Sequence, residues 1–150
     1  LTMTAASGQS EIDFTGIPAG VKRVYVFLHG GSTSGPSNPL LQIGDSGGIE
    51  DTSYNAGAFF SGGDAAYTTG FGIFSGAGGN VLYGQLTLSL EDGSDNTWIC
   101  EGSVSAPGSP FTTTTAGAKA LSGTLDRLRI TTVGGSDTFD AGAINISWEF

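Results

Sequence analysis

Residues 143–150 read Ala-Ile-Asn-Ile-Ser-Trp-Glu-Phe, and this stretch decides the fold class. Apolar side chains occupy every second position from Ile144 to Phe150, and polar side chains occupy the positions between them. A period of two residues is typical of a β-strand with one face on a core and the other in water. The stretch therefore predicts a half-buried antiparallel strand.

The same alternation recurs along the chain. It is visible in residues 11–15, 85–91, 97–104 and 127–131. Residues 21–29 differ, because Tyr25 and Phe27 make the second face of that strand apolar as well. Such a strand is either central in its sheet or covered by a second surface. Weaker strand candidates are residues 40–43, 71–74 and 112–121.

The composition favours strands and turns over helices. Gly (26), Ser (17) and Thr (17) are abundant, and Gly or Pro interrupts most stretches long enough for a helix. Each interior Gly costs a helix about 1 kcal/mol relative to Ala. Turn residues at 18–20, 92–94, 107–108 and 134–135 separate the alternating runs. We predict one all-β domain, residues 1–150: an antiparallel, jelly-roll-like β-sandwich of about eight to ten short strands without significant helix.

Charge and cysteine content exclude several function classes. The chain has 14 acidic and 5 basic residues, a net charge of −9, which opposes binding to nucleic acid or to an anionic membrane surface. No apolar run is long enough to span a membrane as a helix. Cys100 is the only cysteine, so no intrachain disulfide or Cys-based zinc site is expected. Residues 1–4 do not resemble a signal peptide, and a start at Leu1 suggests a fragment or a processed start.

One string matches a nucleophile motif. Residues 44–48 read Gly-Asp-Ser-Gly-Gly, as in serine hydrolases, and His29 lies upstream beside Gly30 and Gly31. The context is wrong, because a hydrolase elbow needs a helix after the Ser and a His later in the chain. A trypsin-like order needs an Asp between His and Ser that is distant from the Ser, whereas Asp45 is adjacent to Ser46. We interpret the string as a polar turn and predict that the protein is not an enzyme.

Carboxylates suggest two further kinds of site. Glu50 with Asp51, or Glu91 with Glu101, could form the paired acids of a glycosidase, but solvated strand faces are the simpler explanation and the one we favour. Two acidic loops are weak calcium candidates, and ordinary Asp-initiated turns are the favoured alternative. The calcium candidates are Asp92, Asp95, Asp137 and Asp140. We expect no metal and no cofactor.

Six aromatic residues crowd the Gly- and Ala-rich segment 54–79, which we interpret as rich in loops. Aromatic rings stack on sugars, and they also anchor subunit interfaces or fill cores. All three roles stay open for this segment. The candidate ligand or interface residues are Tyr54, Phe59, Phe60, Tyr67, Phe71 and Phe74.

Three stretches carry a resemblance to a known class of proteins. Residues 121–132 read Leu-Ser-Gly-Thr-Leu-Asp-Arg-Leu-Arg-Ile-Thr-Thr and lead through Asp-Thr-Phe-Asp-Ala-Gly (137–142) to Ile-Asn-Ile (144–146). Residues 12–20 read Ile-Asp-Phe-Thr-Gly-Ile-Pro-Ala-Gly, followed by Lys22-Arg23, and residues 38–50 read Asn-Pro-Leu-Leu-Gln-Ile-Gly-Asp-Ser-Gly-Gly-Ile-Glu. Together they resemble a structural module of tailed-bacteriophage virion proteins.

The resemblance implies a non-enzymatic β-sandwich that folds in the host cytoplasm and is then assembled into the virion. It implies a tail-fibre or receptor-binding module, a homotrimer that contacts other virion proteins and bacterial surface polysaccharide. Three alternatives remain: a capsid decoration or head-fibre protein that binds the virion lattice, a glycan-degrading enzyme of the tailspike type, and a carbohydrate-binding module of a bacterial enzyme.

Overall fold

The computed structural model describes residues 4–5 and 7–150, and the described residues form two antiparallel sheets packed as a β-sandwich. They contain no helix, and hence none that is long and apolar enough to cross a membrane. The all-β prediction is therefore confirmed. The expectation about the start at Leu1 lies outside the described residues.

The larger sheet has eight strands, which we number along the chain. In spatial order they are β1 (Thr4–Ala5), β13 (Phe139–Glu149), β3 (Arg23–Thr33), β9 (Leu82–Asp92), β10 (Thr97–Ala106), β11 (Phe111–Ala120), β6 (Asn55–Phe60) and β7 (Gly63–Tyr67). Each neighbouring pair is antiparallel.

The smaller sheet covers one face of the larger sheet. Its strands lie in the order β2 (Ile12–Thr15), β12 (Arg127–Thr132), β4 (Pro39–Asp45) and β5 (Gly48–Glu50), and β8 (Phe71–Gly72) also pairs with β4. We call the side of the larger sheet that faces the smaller sheet its inner face, and the opposite side its outer face.

The predicted alternation is confirmed by burial. In β9, Leu86 and Leu88 are fully buried while Gln85 is exposed, and in β12 Leu128 and Ile130 are fully buried. Strand β3, which was expected to be central or covered, lies between β13 and β9. The weak candidate at residues 112–121 is a full strand, β11.

The segment 54–79 contains more regular structure than its composition suggested. Strands β6 and β7 form a hairpin there, which extends the larger sheet beyond β11. Their Gly- and Ala-rich sequences lack the alternation of large apolar residues that marks the other strands, so the hairpin was interpreted as loop. The predicted jelly-roll connectivity is not confirmed. Strands β9, β10 and β11 are neighbours in the sheet in chain order, which is a meander.

Close contacts join strand β11 and the β6–β7 hairpin to β8 of the smaller sheet. The hydroxyl of Thr115 on β11 donates a 2.7 Å hydrogen bond to the carbonyl of Gly72 on β8. A Cβ at Gly72 would overlap the ring of Tyr67, which is buried and accepts a hydrogen bond from Asn38. The Tyr67 ring therefore packs directly against Gly72, where there is no room for a larger side chain.

We predict that Gly72→Ala destabilises the protein by about 1–3 kcal/mol, because the added methyl group must displace the Tyr67 ring from a packed site. Urea unfolding measures the loss. Gly108→Ala is the matched control, since a Cβ at that turn meets nothing within 4 Å. Equal stability of the Gly72→Ala and Gly108→Ala proteins would contradict the predicted packing.

Candidate functional site

Four aromatic side chains lie together on the outer face of the larger sheet. Tyr25 and Phe27 on β3 stack with their ring centroids 6.4 Å apart, and His29 meets Tyr83 of β9 edge to face at 5.6 Å. Tyr83 is 42% exposed, His29 is exposed, and Tyr25 and Phe27 are half-buried. We call these four residues the aromatic patch. No strand of the smaller sheet covers them, because the smaller sheet lies on the inner face.

A shallow open groove of about 390 Å³ adjoins the aromatic patch. Its nearest strand, β9, contributes Gln85 and Thr87, which are the cross-strand partners of Phe27 and Tyr25. We call it the hydroxyl groove. Its lining residues are Gln85, Thr87, Glu101, Gly102, Ser103, Thr114, Thr115 and Ala116.

The groove is lined by groups that donate and accept hydrogen bonds. Ser103 Oγ and Thr114 Oγ1 lie 3.3 Å apart, and Gln85 Nε2 donates to Thr87 Oγ1 at 3.1 Å. Glu101 is the only carboxylate among the lining residues that the structure describes, and none of them is cationic. A polar surface with a single carboxylate, beside aromatic rings, can hold a ligand that has both hydroxyl groups and apolar ring faces.

The six aromatic residues predicted as ligand or interface candidates divide into three groups. Tyr54, Tyr67 and Phe71 are buried, so we correct their assignment: they belong to the core. Tyr54 is held by its hydroxyl, which donates to the Glu50 carbonyl and accepts from the Ile43 amide, each at 2.8 Å. Burial raises the pKa of Tyr54 and keeps this hydroxyl protonated.

Phe60 and Phe74 form the second group. Their rings stack almost parallel with centroids 3.5 Å apart, and Phe74 also meets Phe111 edge to face at 5.5 Å. All three residues are half-buried. Phe111 also packs against the main core cluster, so this triplet lies at the margin of the core and only part of its surface is open to a partner.

Phe59 stands alone in the third group. It is 63% exposed and pairs across the sheet with Thr114 of the hydroxyl groove. Phe60 and Ala58, its neighbours in β6, are half-buried and buried respectively, as expected of residues on the inner face. Of the six predicted residues, Phe59 is the one that the structure leaves most accessible to a ligand.

The protease-like string is a turn with a structural contact. Asp45 and Gly48 pair at the start of the β4–β5 hairpin, and Asp45 accepts hydrogen bonds from the Gly47 amide and the Ser122 hydroxyl. His29 lies on the other sheet. Ser46 and His29 therefore do not form the pair that the motif would require.

A buried ion pair joins the two sheets beside this turn. Lys119 of β11 points inward, is 5% exposed, and places its Nζ 2.5 Å from Oε2 of Glu50 on β5. The other carboxylate oxygen of Glu50 accepts from the amide and the hydroxyl of Ser122. Lys119 also lies 5.6 Å from the centre of the Tyr54 ring. Every contact of Glu50 is thus used in holding the sandwich together.

Hydrogen bonding sets the ionisation of the two carboxylates at this junction. Partial burial by itself would raise the pKa of Glu50, but the bonds from Lys119 and Ser122 outweigh it and hold the pKa below its usual range. The pKa of Asp45 is also lowered, by the Ser122 hydroxyl and then by the Gly47 amide. Both groups are therefore ionised at neutral pH.

Neither predicted carboxylate pair lines a common cleft. Glu50 faces Lys119, whereas Asp51 is exposed and lines a separate cleft with Arg129. Glu101 pairs with Thr87, four residues along β9 from Glu91, so the Cα atoms of the two glutamates lie about 13 Å or more apart. Glycosidases need their two carboxylates much closer, at most about 9.5 Å apart.

The calcium candidates serve local contacts at two separate places: Asp92 and Asp95 lie at the β9–β10 turn, and Asp137 and Asp140 lie at the start of β13. Asp92 accepts from the amide and hydroxyl of Ser94, and Asp95 accepts from those of Thr97, which are the bonds of ordinary Asp turns. Asp137 accepts from the Ser37 amide, and Asp140 accepts from the Ser32 hydroxyl. Among the described residues no group of three metal-binding side chains occurs.

The sequence contained a signal for half of the aromatic patch and none for the buried cation. Tyr25 and Phe27 were visible as the second apolar face of residues 21–29. Tyr83 and His29 join them only through the pairing of β3 with β9. Lys119 follows Thr113 and Thr115 on the inward positions of β11, but a lysine is normally assigned to solvent from sequence alone.

The two extremes of the aromatic set should respond oppositely to truncation. We predict that Phe71→Ala costs about 3–5 kcal/mol of folding stability, since it empties a fully buried site. Phe59→Ala should change stability by less than about 0.5 kcal/mol, because the ring is mostly in water. Urea denaturation of both variants measures this difference. A large loss for Phe59→Ala would show that its ring is packed.

The Glu50 junction should make stability depend on acid. Because the pKa of Glu50 is lower in the folded state, its contribution is complete above the unfolded value of 4.5 and is lost as pH falls through the folded value. Glu50→Gln should cost about 3 kcal/mol at neutral pH, because Lys119 stays buried without its partner. The difference between wild type and variant should shrink below pH 4.5.

Chemical denaturation at a series of pH values measures that difference, in which the titration of Asp45 cancels because both proteins keep it. Glu149→Gln is the control, since Glu149 forms an exposed ion pair with Arg23. A stability difference for Glu50→Gln that stays constant to low pH would contradict the proposed role of the ion pair.

No protein-family model matches this chain, and no curated protein is similar to it in sequence. The comparisons thus assign no family. The resemblance to phage virion proteins, noted from residues 12–20, 38–50 and 121–146, stays a prediction. The fold and the outer face of the larger sheet are the observations from which a function can be argued.

Proposed function

We propose that this chain is a non-enzymatic glycan-binding β-sandwich, with the aromatic patch and the hydroxyl groove as its binding site. The observation that carries the proposal is the position of Tyr25, Phe27 and Tyr83 on an uncovered sheet face, directly beside a groove of hydroxyl and amide groups. Sugars present both an apolar ring face and a rim of hydroxyl groups, and these two surfaces match that combination.

The arrangement of carboxylates supports binding without hydrolysis. Glu101 is the one acidic side chain in the hydroxyl groove. Glu91, on the adjacent strand β9, lies four residues from the cross-strand partner of Glu101. Asp64 lies on β7, three strands away from Glu101. Both Cα separations are about 13 Å or more, and neither Glu91 nor Asp64 lines the hydroxyl groove with Glu101.

The sequence resemblance gives this binding activity a biological setting. We propose a tail-fibre or receptor-binding module of a tailed-phage virion, which attaches to bacterial surface polysaccharide. This assignment to a virion rests on the resemblance alone. Cys100 is a free, buried cysteine, and burial raises the pKa of its thiol. A free thiol is in keeping with folding in a reducing cytoplasm.

The test is binding of the purified protein to an array of bacterial surface polysaccharides. We expect the double variant Phe27→Ala/Tyr83→Ala to lose at least about tenfold in affinity, because each ring contributes roughly 1 kcal/mol of stacking. Phe150→Ala is the matched control: its ring is 73% exposed but lies at the end of β13 and outside the aromatic patch.

Light scattering on the same proteins separates a glycan site from a subunit seam. A wild-type mass near three times 15.1 kDa that falls to 15.1 kDa in the double variant would assign the aromatic patch to a trimer interface and contradict the proposal. Retention on empty capsids without affinity for any polysaccharide would favour a decoration protein instead.

A further inference from the structure

The strand register aligns five distant residues in one row across the outer face. Phe27 pairs with Gln85, Gln85 with Ser103, Ser103 with Thr114, and Thr114 with Phe59. The row therefore crosses strands β3, β9, β10, β11 and β6, with an aromatic ring at each end and hydrogen-bonding side chains between them. It passes through the middle of the hydroxyl groove.

The length of the row indicates the size of its ligand. Four strand spacings separate Phe27 from Phe59, so their Cα atoms lie about 19 Å apart. One sugar in an extended glycan is about as long as one strand spacing, so a chain with one sugar over each of the five row residues has about five sugars. Neighbouring strands rotate by roughly 20°, and the torsions of glycosidic bonds allow a glycan to follow that twist.

The charge of the row indicates the chemical class of the ligand. Gln85, Ser103 and Thr114 are uncharged, and Glu101 supplies one negative charge beside them. No cationic side chain lines the hydroxyl groove among the described residues, and the whole chain carries a net charge of −9. Arg23, which shares the outer face of β3, is paired with Glu149. A carboxylated, sulfated or phosphorylated glycan would be repelled at the hydroxyl groove, whereas a neutral glycan would not.

We propose that the outer face binds a neutral oligosaccharide of about five sugars, laid across the strands from Phe27 to Phe59. A sugar stacks on the aromatic ring at each end, and Gln85, Ser103 and Thr114 exchange hydrogen bonds with the sugars between. This inference rests on the proposed glycan-binding function and adds to it the length, direction and charge class of the ligand.

A second copy of this chain is a poorer fit to the same row. Protein interfaces have an apolar centre that is surrounded by a polar rim. Here the order is reversed: the centre holds Ser103 and Thr114, both exposed, and the rings of Phe27 and Phe59 lie at the two ends. Polar groups at the centre of a protein interface would lose water without assured partners.

The length of the ligand is tested with the bacterial polysaccharide that binds most tightly on the array, cut into fragments of increasing length. For the wild-type protein, affinity should rise with each added sugar up to about five and then level off. Phe59→Ala should weaken binding of the pentasaccharide and longer fragments about fivefold, because one ring contributes roughly 1 kcal/mol, and Phe150→Ala should not. Because Phe59 is exposed, its variant is expected to fold normally, as the urea measurement checks.

Three outcomes overturn the inference in distinguishable ways. If Phe59→Ala binds long fragments as tightly as wild type while Phe27→Ala/Tyr83→Ala does not bind, the glycan-binding function is supported. The claim that the ligand extends along the row to Phe59 is then wrong. If acidic polysaccharides bind better than neutral ones and added salt weakens them, the charge class is wrong and the function stands. If no polysaccharide on the array binds, the proposed function and this inference both fail.

Discussion

Burial of the inner face of the eight-stranded sheet is the constraint on which the rest of this structure depends. Val24, Val26, Leu86 and Leu88 of its central strands are fully buried, and they become so only because the smaller sheet lies over them. Covering an apolar sheet face with a second sheet is the usual way to stabilise such a chain. The smaller sheet covers one side, so among the described residues no strand covers the other side.

The polar contacts between the sheets complement this apolar packing. The ion pair of Lys119 with Glu50, the hydroxyl of Tyr54 and the bond from Thr115 to Gly72 all cross from one sheet to the other or to its connecting segments. A buried pair of charges adds less net stability than apolar packing. Any other arrangement of the two sheets that separated the charges would leave one of them buried without a partner, which is costly. These contacts define how β5 and β8 meet β11, and hence where the β6–β7 hairpin extends the sheet.

Extension of the sheet by this hairpin is also what gives the outer face its length. Without β6, the row of aligned residues would end at Thr114 and would have an aromatic ring only at Phe27. The side chains of the hairpin serve the two faces of the sheet differently. Its small inward residues, Ala56 and Ala58, lie close to Tyr67 and Leu40, and its one exposed ring, Phe59, completes the outer row.

The sequence by itself determined the fold class, because a period of two in residues 85–91, 127–131 and 143–150 can bury one face only as a strand. It also determined the charge and the lack of a protease-like context around Ser46. Only the tertiary structure decided which aromatic residues are accessible and which residues share the outer face. Those properties depend on the pairing of strands far apart in the chain, and local periodicity carries no information about partner or register.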